Sequence, residues 1–158
     1  MFSPRKALIA AVVAMLPFGA ALADNVIINA SGMSFVTADT NETGIAYAKP
    51  GDKIVWRQMM MGGHNTQSYE GLIPEGAEGW KSSIGKNQFA VEVTEPGLYL
   101  YKCNPHEVTG MIGALIVGEG KPANLDAILE HELTQSGARK RFMKKVLMPE
   151  LEAKGWAG

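Results

Sequence analysis

The sequence predicts an all-β sandwich carrying two C-terminal α-helices, and three observations lead there. Between Asp24 and about Gly118, short apolar segments are punctuated by Gly, Pro and Asn. One of them, Phe89-Ala90-Val91-Glu92-Val93-Thr94, alternates so that Phe89, Val91 and Val93 share a face. After Gly120 the apolar spacing lengthens to that of a helix. Short alternating strands separated by turn signals are the pattern of an antiparallel sandwich.

Taken in order, Lys49-Pro50-Gly51-Asp52 reads as a turn that delivers the strand Lys53-Ile54-Val55-Trp56-Arg57. Glu95-Pro96-Gly97 turns the alternating segment into Leu98-Tyr99-Leu100-Tyr101-Lys102, and Met111 to Val117 is a further apolar run. In the tail, Pro122-Ala123-Asn124 opens a stretch in which Leu125, Ile128, Leu129 and Leu133 recur at helical spacing, with Gly137 closing it. Ala138 to Lys154 forms a second helical stretch with Phe142, Val146 and Leu147 on one side, which Pro149 should kink or split. A tail of about 35 residues is too short for a core of its own, so both helices are expected to pack on the sandwich. The domain expectation is therefore one unit over residues 24–158, with strands roughly 24–118 and helices roughly 122–155.

The first 23 residues are set apart. Arg5 and Lys6 precede the apolar run Ala7 to Leu16, Pro17 and Gly19 interrupt it, and Ala21-Leu22-Ala23 ends it. That is the charged, apolar, small-residue order of a cleaved export signal. The run is too short for a bilayer span, which takes about 20 residues. The expected location is the periplasm, with no membrane insertion after cleavage. Removing Arg5 and Lys6 leaves 13 basic against 16 acidic residues, a net charge of −3, which argues against nucleic-acid binding. The single cysteine, Cys103, cannot form an internal disulfide. An odd exported thiol pairs with another chain, reacts, or is held by a metal.

The chemistry concentrates in Cys103-Asn104-Pro105-His106-Glu107-Val108-Thr109-Gly110-Met111, which places a thiol, an imidazole and a thioether between two expected strands. A second imidazole, His64, lies upstream in Gly62-Gly63-His64-Asn65, near the end of another strand. Two histidines and a cysteine with a weak axial methionine are the ligand set of a blue-copper electron-transfer site. Soft sulfur suits Cu(I), imidazole accepts both oxidation states, and zinc sites rarely use a thioether. Each residue alone is bland, since a lone Cys or Met usually fills a core; the combination is what points to copper. His131, in the helical tail, reads as a surface residue.

At these residues the chain resembles the pseudoazurin branch of the cupredoxins. The likeness extends to Lys49-Pro50-Gly51-Asp52, to Gly71-Leu72-Ile73-Pro74-Glu75-Gly76-Ala77-Glu78, to Pro96-Gly97-Leu98-Tyr99 and to Pro122-Ala123-Asn124-Leu125. The resemblance implies an eight-stranded Greek-key sandwich and one type 1 copper ion held by His64, Cys103, His106 and Met111. It also implies that Asn65 ties the His64 and Cys103 loops together, and that electrons leave through His106. The expected function is one-electron transport by a monomer through transient contacts with redox partner proteins, nitrogen-oxide reductases by analogy, with no enzyme activity. The alternative is copper delivery or storage through Met59-Met60-Met61. In this resemblance the methionine triplet stands where a lysine is usual, Glu107 replaces an aromatic and Thr109 a residue that is often Met. Lys102, and Lys81 with it, remain candidates for a docking ring of lysines. The basic stretch Arg139, Lys140, Arg141, Lys144 and Lys145 reads as a solvated helix face.

Overall fold

The computed structural model describes residues 23–157. The export signal expected over residues 1–23 falls almost wholly outside them. Among the described residues, eight strands form two four-stranded sheets. β1 (Asn25–Ser31), β2 (Ser34–Thr37), β4 (Lys53–Arg57) and β6 (Gln88–Glu92) form one in the order β2-β1-β4-β6. β3 (Ile45–Ala48), β5 (Gln67–Ser68), β7 (Gly97–Lys102) and β8 (Ile112–Val117) form the other in the order β3-β8-β7-β5.

The sandwich is not purely antiparallel as the turn signals suggest. β1 pairs parallel with β4, and β3 pairs parallel with β8. The reason is connectivity: the chain crosses between sheets from β2 to β3 and back again at β4, so strands far apart in sequence become neighbours running the same way. Turn residues report only how consecutive strands are joined, and say nothing of such pairings.

The turn before β4 follows from its residues. Gly51 has φ 94°, which glycine adopts without steric penalty. Buried Asp52 accepts hydrogen bonds from the backbone N–H groups of Lys49 (2.7 Å) and Asp24 (2.9 Å), fastening the start of β1 to the start of β4.

β7 and β8 form the middle of their sheet and are buried on both faces. Tyr99, Tyr101, Leu115 and Val117 point into the core between the sheets, with Trp56, Trp80, Phe35 and Ile54. Leu98, Leu100, Ile112, Ala114 and Ile116 point the other way, under the helices. This is why Met111 to Val117 is an unbroken apolar run while β6 alternates. Phe89, Val91 and Val93 do share the face toward the inter-sheet core.

The helices cover the outer face of that second sheet. α1 (Leu125–Thr134) buries Leu125 and Ile128; α2 (Gly137–Phe142) buries Phe142. A π-helical segment, Met143–Leu147, joins α2 to α3 (Met148–Ala153). Each fully buried apolar side chain here contributes about 1.5–3 kcal/mol. The expected break at Pro149 takes the form of this wider turn, which ends just before it: proline lacks the N–H that would bond one turn back. Gly137, expected to close the first helix, instead opens the second with φ 69°, α1 having ended at Thr134. Asn124 does not cap α1 with its side chain. Its amide pairs with the backbone of Leu98, accepting from N–H at 2.9 Å and donating to C=O at 2.8 Å, and so docks the tail on β7.

All four tyrosines, Tyr47, Tyr69, Tyr99 and Tyr101, are held protonated by this packing. Burial is the main cause in each; for Tyr99 burial and then the Glu95 charge push the phenol up to about 12. A phenol raised on folding contributes stability that is complete below its ordinary value near 10 and is lost as pH rises through the folded value. We expect no tyrosinate absorbance near 295 nm from the folded chain at about pH 10, then all four rising together with loss of circular dichroism at higher pH. Independent titration of two or more tyrosines at about pH 10 would contradict this packing.

Candidate metal centre

One end of the sandwich gathers the three strongest candidate ligands. β4 lies in one sheet and β5 in the other, and the loop joining them carries His64 across the gap. His64 therefore sits in an inter-sheet loop rather than at a strand end, three residues before β5. Gly62 and Gly63 both have left-handed φ, 99° and 66°, and a Cβ on Gly62 would lie 2.5 Å from His64 Nε2. The glycine pair thus lets the loop fold tightly over the imidazole. The backbone of His64 is fixed on both sides, its N–H donating to Met59 O (2.9 Å) and its C=O accepting from Gly85 N (2.9 Å).

Cys103 follows β7 and Met111 precedes β8, both fully buried. Their backbones continue the antiparallel pairing, with Cys103 N–H donating to Met111 O at 3.0 Å. Between them Asn104–Thr109 forms a 3₁₀ turn with Pro105 in its first turn, closed by Gly110 at φ 105°. His106 N–H donates to Cys103 O (3.1 Å), and Met111 N–H to His106 O (3.0 Å). This loop buries none of its own six residues.

The result is a tight donor set. His64 Nδ1 and His106 Nδ1 are 3.0 Å apart, and Cys103 Sγ lies 3.8 Å and 3.4 Å from them respectively. All three ligand atoms lie within 4.8 Å of one another. Burial, and then the neighbouring His106, keep the His64 imidazole neutral, while burial pushes the Cys103 thiol up. Hydrogen bonds from the Asn65 and His106 backbones partly offset the effect on the thiol. Two imidazoles and one sulfur aimed at a common point suit a soft or borderline cation. Buried Met111 joins the inter-sheet core beside Cys103.

Asn65 links the loops that carry His64 and Cys103. Its side-chain oxygen accepts from Asn104 N–H at 2.7 Å, its amide donates to Ser82 O at 3.3 Å, and its backbone N–H reaches Cys103 Sγ at 3.4 Å. Asn104 and Gln67 add a second bridge at 2.7 Å, which carried no signal in the sequence.

The methionine triplet divides. Met59 is fully buried in the inter-sheet core, whereas Met60 and Met61 are 60% and 83% exposed in the turn before His64. With Ile84 (61%) and Val108 (79%) they are exposed apolar side chains on the loops at this end. Glu107 brings no free charge. It accepts from Lys102 Nζ at 2.7 Å and Tyr69 OH at 2.8 Å. Burial alone would raise its carboxyl; the hydrogen bonds from Lys102 and Tyr69, with the charges of Lys102 and Arg139, reverse that and hold it below the usual range. Lys102 is consequently an ion-pair partner rather than a free docking charge, whereas Lys81 is exposed. His131 is half exposed beside Glu132 and takes no part in the donor cluster.

Comparison with known proteins agrees with this geometry. Residues 22–118 match the copper-binding plastocyanin/azurin family. The chain is 39% identical over 101 residues to a pseudoazurin of Paracoccus pantotrophus, covering 64% of this chain and 67% of that protein. It is 36% identical over 90 residues to one from Methylorubrum extorquens, covering 55% and 59%. A Sinorhizobium pseudoazurin structure superimposes with a TM-score of 0.63 at 30% identity, covering 84% of this chain and 99% of that one. The pseudoazurin of Methylobacterium extorquens AM1 gives 0.61 at 26% identity, covering 81% and 99%. With two four-stranded sheets, a buried His-Cys-His cluster at one end and that match over the whole sandwich, the chain belongs to the plastocyanin/azurin family of copper-binding proteins.

Proposed function

We propose that this chain is an exported one-electron carrier in which His64, Cys103, His106 and Met111 hold a single copper ion. The convergence of His64 Nδ1, His106 Nδ1 and Cys103 Sγ within 4.8 Å carries the reading. Copper bound there would supply the Cu(I)/Cu(II) couple, and the donor set suits both states. The chain's own residues do the rest. His64 and Cys103 are buried and exclude water, while His106 keeps an exposed edge and is the natural exit for the electron. Met60, Met61, Ile84 and Val108 offer apolar surface on which a redox partner can seat briefly. Three strong donors and a thioether leave no open position for a substrate, which supports a carrier rather than an enzyme. Export to the periplasm rests on the sequence of residues 1–23. Reductases of nitrogen oxides are the partners that the resemblance suggests.

Three outcomes test this. Copper-loaded protein should show an intense thiolate-to-copper absorption that bleaches on reduction, and Cys103→Ser should abolish it with the far-ultraviolet circular dichroism unchanged. Retained colour in that variant would refute the ligand assignment. Asn65→Ala removes the acceptor for Asn104 N–H, so copper affinity should fall about 10–100-fold by competition with a chelator. Titration with Cu(I) should end at one equivalent. A second or third tight equivalent, lost in a Met60→Ala/Met61→Ala double variant, would favour the delivery or storage alternative, although Met59 is committed to the core.

A further inference from the structure

The loop from Asn104 to Thr109 has no buried residue to anchor it, yet it must hold His106 against Cys103. Its Asn104 end is tethered through Asn65 and Gln67. The other end is tethered from the helical tail. Glu132 of α1 is 1% exposed and its carboxylate accepts from Arg139 Nε of α2 at 2.8 Å and from Arg139 Nη2. The Arg139 guanidinium lies 4.9 Å from the centre of the Tyr69 ring, and Lys102 Nζ lies at the same distance from it. Tyr69 OH then donates to Glu107, which Lys102 also binds. Arg141 Nη2 reaches Val108 O at 3.4 Å in the same loop.

We infer that Glu132, Arg139, Tyr69, Glu107 and Lys102 form a clamp by which the C-terminal helices fix the ligand loop, making Tyr69 and Arg139 positioning residues for the metal centre. The inference rests on the copper assignment above. Glu107 directly follows His106 and Lys102 directly precedes Cys103, so both ligands are gripped through their neighbours. Two carboxylates balance two cations, so the clamp imposes geometry with little net charge beside the metal. Arg139 is the stronger of two partners of buried Glu132, the other being His131 Nδ1 at 2.8 Å, and its two hydrogen bonds offset most of the cost of burying that carboxylate. The basic stretch is therefore divided in its roles. Arg139 and Arg141 reach toward the loop, while Lys144 and Lys145 stay in solvent.

Tyr69→Phe keeps the ring and deletes the bond to Glu107, and Arg139→Gln deletes the grip on Glu132. In the metal-free protein each should speed amide hydrogen exchange of residues 104–109 about tenfold, while the β7 amides of residues 98–102 exchange as in the parent. In the copper-loaded protein each should speed Cu(I) loss to a chelator by a similar factor. Arg139→Lys should restore most of the protection, and Lys144→Gln, an equal charge change on the solvent face, should alter neither quantity. Should Arg139→Gln fail to fold, Tyr69→Phe decides alone. Loop exchange and copper release both at parental rates in Tyr69→Phe would overturn the clamp. A parent chain that takes up no copper would overturn the copper assignment and the clamp together, whereas normal uptake with unchanged exchange overturns only the clamp.

Discussion

Three electron-pair donors, two of them imidazole nitrogens 3.0 Å apart, are held together at one end of the sandwich. Left to themselves such groups separate or recruit protons; here burial opposes protonation of His64 and ionisation of Cys103 alike. The rest of the architecture supports that convergence. The crossing between sheets brings His64 over, the backbone pairing of Cys103 with Met111 closes the opposite side, and Asn65 spans the two. A metal ion would satisfy all three donors at once.

The second sheet shows how this frame stays stiff. Because β7 and β8 are buried on both faces, the strand leading into Cys103 and the strand leaving Met111 cannot shift without disturbing two cores. The helices that cover the outer face also reach the Cys103–Met111 loop, directly through Arg141 at Val108 O and indirectly through Arg139 at the Tyr69 ring. The tail and the candidate metal centre are thus linked through side chains on both. The sulfur, imidazole and thioether chemistry sits on a short loop, but its precision is borrowed from elements on either side.

Much of this was legible in the sequence, for identifiable reasons. β4, β7 and β8 announce themselves because turn residues bound them and their apolar runs are unbroken; β6 does so by clean alternation. The Cys103-to-Met111 loop is local, so its spacing carries its meaning. The parallel pairings of β1 with β4 and β3 with β8 were not legible, since they depend on crossings that leave no residue signature. The two-residue β5 is too short to show a period. The hydrogen bond from Tyr69 to Glu107 was not legible either, because the two lie 38 residues apart. Which of Met59 to Met61 enters the core was not legible; the turn after β4 buries Met59 and leaves the other two on the surface.

Burial of Cys103 has a consequence apart from metal binding. Its sulfur exposes no surface, so neither a second chain nor a small thiol can reach it for disulfide exchange, which needs access as well as ionisation. The thiol is also pushed toward its protonated form, so burial and protonation together slow the sulfur oxidation to which exposed thiolates are prone. The same enclosure keeps the one thiol of the chain out of contact with dissolved oxidants.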